Sequence, residues 1–303
     1  ITGPTVWRDS ALGVDGDNLG EGVQLTGPGN VIAHNRVRGF RDCLSLLEED
    51  EAVEQVSIDV YGNDLDGCAD DAVEADYAMG NVRVYQNRIT NSFMGISSQP
   101  SLGGPTWFVR NVMYGVIYEA FKLHNGSNGN VLYHNTVVKS GDALAVYTDD
   151  AVSHATTRNN LFLGGPGGTY GGYDSGAGAV VNLRPADGSC SLDYDGFGSI
   201  GTGTFEGRIG EVGFTSLDEL RTLTTEAHAV EVDLDVFADA VEFPADPFAA
   251  PAVPGFGLAA GSAAVDRGVP LANVNDGFSG DAPDLGAFEL GRASCRERVW
   301  IPV

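Results

Sequence analysis

Between residues 31 and 163 the chain repeats a short phrase that ends in asparagine. The copies are Val31-Ile32-Ala33-His34-Asn35, Ile58-Asp59-Val60-Tyr61-Gly62-Asn63, Val82-Arg83-Val84-Tyr85-Gln86-Asn87, Trp107-Phe108-Val109-Arg110-Asn111, Val131-Leu132-Tyr133-His134-Asn135 and Thr156-Thr157-Arg158-Asn159. From Asn63 to Asn159 the interval is always 24 residues, and Asn35 stands 28 before Asn63, so one unit carries a four-residue insertion. A fixed period of this size marks stacked units that each contact only their neighbours. Two residues after each Asn comes an apolar side chain (Val37, Leu65, Ile89, Met113, Val137, Leu161), and three before it another in all but the last copy (Ile32, Val60, Val84, Phe108, Leu132). Alternation in runs of four to six residues, broken by Gly, Asn and Asp, predicts short strands. Strands that cannot bury a face alone must stack at about 4.8 Å per rung. The expectation is an all-β parallel β-helix with a less regular C-terminal extension. In it Asn35, Asn63, Asn87, Asn111, Asn135 and Asn159 line one corner, where Asn tolerates left-handed backbone and its amide can bridge rungs.

A further strand in each coil is aligned by its inward pair: Val23/Leu25, Leu44/Leu46, Val73/Ala75, Ile96/Ser98, Phe121/Leu123 and Leu144/Val146. Side chains alternate, so the intervening residues point outward. Consecutive coils then present Glu74 and Asp76, Ser97 and Gln99, Lys122 and His124 on one face, with Tyr147 on the next coil. These six, with Tyr147, are the candidate functional site: Lys122 or His124 moves a proton, Glu74 and Asp76 orient it or hold a cation, and Ser97, Gln99 and Tyr147 contact substrate. Arg110 joins as a further cation. Before that strand runs an acidic column, Asp42, Asp71, Glu119 and Asp142. Its members cap turn amides or bind Ca²⁺ in pairs, with Asp71 and Glu119 the metal candidates. On the strand before the Asn, Tyr61, Tyr85 and Trp107 suit stacking on sugar rings, or equally packing beneath a C-terminal segment.

The chain has 303 residues, 17 Lys and Arg against 42 Asp and Glu, and a net charge of -25. Such a surface repels nucleic acid and anionic membranes. No apolar stretch reaches membrane-spanning length. Four cysteines match no metal-ligand spacing; Cys43 and Cys68, about one coil apart, are either a bridge between rungs or two buried thiols. Residues 1–190 read as coils and 191–291 as an irregular segment packed on them. Within these, Gly164 to Gly178, with eight glycines, reads as a flexible loop, and Ser216 to Leu223 as a capped helix. Residues 243–256, rich in Pro and Ala, read as extended chain. Residues 292–303 carry three of the 17 cations and no periodicity, and read as a non-native tail. The start at Ile1 suggests that a signal peptide has been removed from an extracellular or cell-surface protein, a monomer.

The stretches Ser262-Ala263-Ala264-Val265-Asp266-Arg267-Gly268, Asp276-Gly277-Phe278-Ser279-Gly280 and Ala282-Pro283-Asp284-Leu285-Gly286-Ala287-Phe288-Glu289 resemble the C-terminal signature of bacterial right-handed parallel β-helix repeat proteins, of the pectate-lyase-like superfamily. With the Asn-centred coils the resemblance spans roughly residues 20 to 290. It implies a right-handed solenoid, export, and kinship with polysaccharide lyases and hydrolases, without naming a reaction. Asp70-Asp71 resembles the paired aspartates of polygalacturonase-type hydrolases, but that family's Gly-His-Gly and Arg-Ile-Lys elements are absent. The functional expectation is a secreted protein acting on polysaccharide by elimination at a uronic-acid-containing glycan, in which Lys122 and His124 beside Arg110 serve as base and cation. The alternatives are a glycoside hydrolase using the carboxylates Asp70, Asp71, Glu74 and Asp76, or a non-catalytic glycan-binding or structural solenoid.

Overall fold

The structure, a computed structural model, describes residues 1–3, 20–46, 53–201 and 203–291. The tail read as non-native, 292–303, lies outside the described residues. The chain winds as an all-β, right-handed parallel β-helix of about seven coils. Its first sheet stacks Glu21–Gln24, Asp42–Ser45, Asp71–Glu74, Met94–Ser97 and Phe121–Lys122. The second stacks Val31–Ala33, Asp59–Tyr61, Val82–Tyr85, Leu102–Val109, Asn128–Tyr133, Thr156–Arg158 and Ser191–Leu192. The third runs from Arg36–Arg38 through Asp64–Asp66, Arg88–Ser92, Val112–Val116, Thr136–Lys139, Leu161–Gly164 and Gly196–Ser199 to Val230–Glu231.

The inward pairs occupy the interior as their alternation requires. Val23, Leu44, Val73, Ile96 and Phe121 stand in register on successive strands of the first sheet. Phe108, Phe121, Phe162 and Phe197 continue the filling along the axis, with successive ring centroids 5.7, 6.5 and 5.7 Å apart. Leu144–Ala145 leaves this arrangement and begins a separate sheet with Val181–Leu183 and Gly207–Ile209. The outward column of the first sheet therefore ends at Lys122.

The asparagine corner forms with one substitution in its membership. Asn35 Nδ2 donates to Asn63 Oδ1 (3.1 Å), Asn63 to Asn87 (3.0 Å), Asn87 to Asn111 (3.0 Å) and Asn111 to Asn135 (3.1 Å). Asn135 then donates to Asn160 Oδ1, not to Asn159, and Asn160 to Asp195 Oδ1. Each Oδ1 also accepts the backbone N–H of the preceding ladder residue, and each amide from Asn63 onward reaches a strand carbonyl such as Ile32 O or Val60 O. The left-handed residue is the one before the ladder: His34, Gly62, Gln86, Arg110, His134, Asn159 and Tyr194 have φ between 55° and 63°. Asn159 has moved into that column because the last coil carries one extra residue, so an equal 24-residue interval led to the wrong neighbour.

Cys43 and Cys68 form a disulfide between adjacent coils, with Cα atoms 5.5 Å apart. The expected helix is Leu217–Leu223, capped by the Ser216 side chain, which accepts from Glu219 N. The glycine-rich stretch is more ordered than expected: Thr169–Tyr170 and Tyr173–Asp174 pair as an antiparallel hairpin. Its turn, Gly171-Gly172, takes positive φ at both residues (57° and 91°), the geometry that fits two tightly joined strands.

The C-terminal segment is laid over the outer face of the third sheet. Val112, Tyr114, Val138, Leu161 and Leu163 on that face form a second apolar cluster with Val236, Phe237, Phe256, Leu258, Leu285 and Ala287. Tyr114 donates to Glu242 O (2.6 Å), and Phe243, Val253 and Phe256 pack on the same cluster, so the 243–256 stretch lies along the solenoid, turning at 245–249 where extended chain was expected. At the corner, Arg110 Nη1 donates to Ala287 O (3.1 Å) and His134 Nδ1 to Gly286 O (3.1 Å).

Candidate functional site

The first sheet's outward face gathers the site. Ser45, Glu74, Ser97 and Lys122 are register partners on adjacent strands. As the first residues of their strands, Asp42 and Asp71 occupy matching positions, with Asp71 N donating to Asp42 Oδ1 (2.9 Å). Arg41 and Asp70 hold the position before them and pair at 3.2 Å. Lys122 reaches across two rungs to Asp71 Oδ2 at 2.7 Å, with its side chain 10% exposed and that of Asp71 1%. Its expected partners take other bonds. Glu74 Oε2 accepts from Ser45 Oγ (2.8 Å), and Asp76 Oδ1 accepts from Ser97 Oγ and from Gln99 N (2.7 Å).

Five carboxylates (Asp42, Asp70, Asp71, Glu74, Asp76) thus share two cations, Lys122 and Arg41. Burial pushes the Asp42 carboxyl up to about 7, with Asp70 adding to it, and burial with Asp42 and Asp76 pushes Glu74 up to about 8. Burial also raises Asp71 well above the usual carboxylate range and raises Asp76, in both cases against the opposing pull of Lys122. Burial opposes the charge on Lys122, but Asp71, Asp76 and Asp70 outweigh it and hold the ammonium more firmly than an ordinary lysine. Asp70 Oδ1 and Asp71 Oδ1 are buried with no hydrogen-bond partner.

This donor set fits a hard divalent cation. Ligand oxygens of Asp42, Asp70 and Asp71 lie within 4.8 Å of one another, as do those of Glu21, Asp42 and Glu74. All are carboxylates, the ligands Ca²⁺ prefers, and the two orphaned oxygens belong to one of these groups. Of the two metal candidates read from sequence, Asp71 lies in this cluster. Glu119 lies elsewhere, with both oxygens 3.0 Å from His124 Nε2 and Oε1 also accepting from Tyr147 N (2.8 Å).

The other candidates separate. The structure brings Glu74, Asp76, Ser97, Gln99 and Lys122 together, with His124 on the same strand end, held by Glu119. Tyr147 adjoins His124 through Glu119, and its hydroxyl lies 2.9 Å from Asp142 Oδ2. Arg110 is not in this group: it sits in the left-handed corner column and is spent on Ala287 O. Tyr61, Tyr85 and Trp107 stand on the second sheet, a different face of the coil. Tyr61 and Tyr85 stack at 4.8 Å, Arg83 pairs with Asp59 at 2.6 Å, and Trp107 packs against Tyr133. Sequence reasoning passed over Arg41 and the joint role of Asp42 and Asp70. Their signal was present, since Arg41-Asp42 and Asp70-Asp71 take matching places at the start of consecutive strands.

No protein-family model matches the chain, and no curated protein matches it. Among solved structures, the crystal structure of pectate lyase Pel9A is similar over 90% of this chain and 86% of that one, at 13% identity and a TM-score of 0.28. A likeness that loose carries no argument about the site, and the architecture stands on the sheets themselves.

Proposed function

We propose that this chain is an extracellular polysaccharide lyase that cleaves a uronic-acid-containing glycan by β-elimination, assisted by a divalent cation such as Ca²⁺. The observation that carries this reading is the cluster of buried carboxylates, two with unpartnered oxygens, around the single lysine of the outward face. A divalent cation held by Asp42, Asp70 and Asp71, with Glu74 beside them, would neutralise the cluster and attract a uronate carboxylate that the bare acids repel. Lys122, held as an ammonium by Asp71, Asp76 and Asp70, is the cation placed against that carboxylate. His124, fixed by both oxygens of Glu119, takes the proton next to that carboxylate and passes it to the departing glycosidic oxygen. Ser97 and Gln99 hold Asp76 in place, and Asp76 maintains the field around Lys122. The Cys43–Cys68 bridge supports an oxidising, exported setting.

The test is a panel of uronic-acid and neutral glycans, with and without chelator, read as unsaturated-product absorbance and as reducing ends. The expected result is absorbance that chelator abolishes and Lys122→Ala removes. A second reading rests on the Glu74 carboxyl, pushed up to about 8, which makes it a proton donor near neutrality as glycoside hydrolysis requires. Reducing ends without absorbance would select that reading, and silence in both assays would leave a glycan-binding solenoid.

A further inference from the structure

The column that holds Arg41 and Asp70 continues along the solenoid as Phe93 and then Tyr118. Met94 is the register partner of Asp71, so Phe93 stands one rung beyond Asp70. Tyr118 N donates to Phe93 O (2.9 Å), which makes Tyr118 the next rung. At about 4.8 Å per rung, the aromatic stretch begins immediately beside the acid cluster and reaches about 10 Å from it along the axis. Phe93 and Tyr118 are buried, but the ring laid over them, Tyr173, is 38% exposed. Its centroid is 5.7 Å from Phe93 and 5.2 Å from Tyr118, T-shaped to both, which fixes its plane. The backbone under it is fixed as well: Tyr173 sits on the glycine-turned hairpin, whose other strand is pinned by Tyr170 against Phe248 at 5.6 Å. Tyr118 also packs at 5.0 Å on Tyr147, whose N–H binds the Glu119 that holds His124. The platform therefore flanks both the acid cluster and His124.

A rigid, half-exposed tyrosine is poorly suited to a strongly apolar partner. It suits the apolar C–H face of a sugar ring whose hydroxyls stay in water. We propose that Tyr173 is a sugar-stacking subsite: it takes a pyranose ring of the same uronate polysaccharide, displaced along the solenoid axis from the ring bound at the acid cluster. This rests on the reading of the acid cluster as the cleavage site. It predicts that recognition depends on chain length, since a short oligosaccharide that fills the acid cluster does not reach Tyr173.

The experiment compares the parent with Tyr173→Ala, Tyr173→Leu and Tyr173→Phe on a uronate polymer and on its di- and trisaccharides. Tyr173→Ala and Tyr173→Leu should raise KM for the polymer about tenfold, leave kcat unchanged and leave the short substrates unaffected. Tyr173→Phe, which keeps the ring, should behave as the parent and shows that the hairpin still folds. An unchanged polymer KM in Tyr173→Ala, or the same loss on long and short substrates, would overturn the proposal. If the parent cleaves no uronate, the reading of the cleavage site fails instead, and the subsite is then read by electrophoresis through gels containing the polymer. Loss of retardation in Tyr173→Ala alone would uphold it; equal retardation, or none in the parent, would overturn it.

Discussion

His134 shows how a single side chain can be committed to one protonation state by its neighbours. It is buried in the left-handed corner column, its Nδ1 donates to Gly286 O, and its Nε2 accepts from Asn159 Nδ2 (3.1 Å) and Asn275 Nδ2 (2.8 Å). An imidazolium has no acceptor to offer those amides, and burial, with Arg110 adding to it, holds the ring well below the ordinary histidine range. A depressed folded value means that the stability it contributes is present above the unfolded value of about 6.5 and is lost as pH falls from there towards the folded value. His134→Asn, which tolerates the left-handed backbone, should lower the thermal midpoint at pH 7 and flatten its decline between about pH 6.5 and 5; an unchanged slope would remove His134 as the cause. Lys122 is committed in the opposite sense. Its pairing with Asp71 inside a buried cluster means that Lys122→Met strands carboxylates without a counter-charge and should cost about 3–5 kcal/mol, read as a chemical-denaturation midpoint. Loss of activity in that variant must therefore be judged on its folded fraction.

At the scale of elements, the ladder and the aromatic stack hold one coil to the next. Asn111 donates to Asn135 and to Val84 O, and accepts both the backbone and the side-chain amide of Asn87. Asn111→Ala leaves those two donors of Asn87 without an acceptor in a buried corner, and should cost about 2–5 kcal/mol in denaturation experiments. Asn111→Asp keeps the acceptor and should recover part of the loss. A cost near zero would show that water enters the corner. Asp195 ends the ladder as such an acceptor, taking both amides of Asn160, with Glu226 buried against it. Burial and the neighbouring Asp195 raise Glu226 well above the carboxylate range.

For the whole molecule, the acid cluster ties stability to its proposed ion. Bringing Asp42, Asp70, Asp71 and Glu74 together on adjacent coils costs repulsion that Lys122 and Arg41 only partly offset. A cation that binds the folded state alone stabilises by mass action, about 2.7 kcal/mol at a concentration 100 times its dissociation constant. Titrating Ca²⁺ into chelated protein at pH 8 should raise the thermal midpoint, and Asp71→Asn should abolish the rise. The same rise in that variant would place the ion elsewhere. The C-terminal segment belongs to this scale too. Its apolar residues complete the outer face of the third sheet, so its removal exposes Val112, Leu161 and Leu163 together rather than detaching an independent unit.

The architecture was legible because a solenoid is written in local periodicity. The 24-residue spacing, the alternation around Val37, Leu65 and Ile89, and the Ser216 cap each depend on residues near in sequence. So the strands, their inward pairs and the helix could be read off directly. The column logic also placed Glu74, Ser97 and Lys122 on one face, since register in a parallel sheet converts sequence spacing into position. Which of those groups bond to which was not written there. Lys122 reaches past Glu74 to Asp71, Arg110 turns into the corner, and Asn160 displaces Asn159. Side-chain reach, one-residue insertions and the packing of distant segments decide such contacts, and no local pattern encodes them. The exposure of Tyr173 likewise exists only once the hairpin is folded back onto Phe93 and Tyr118. The sequence by itself determined the coil and its columns; the tertiary structure alone decided how the charges on those columns pair, because burial and distance set their energies.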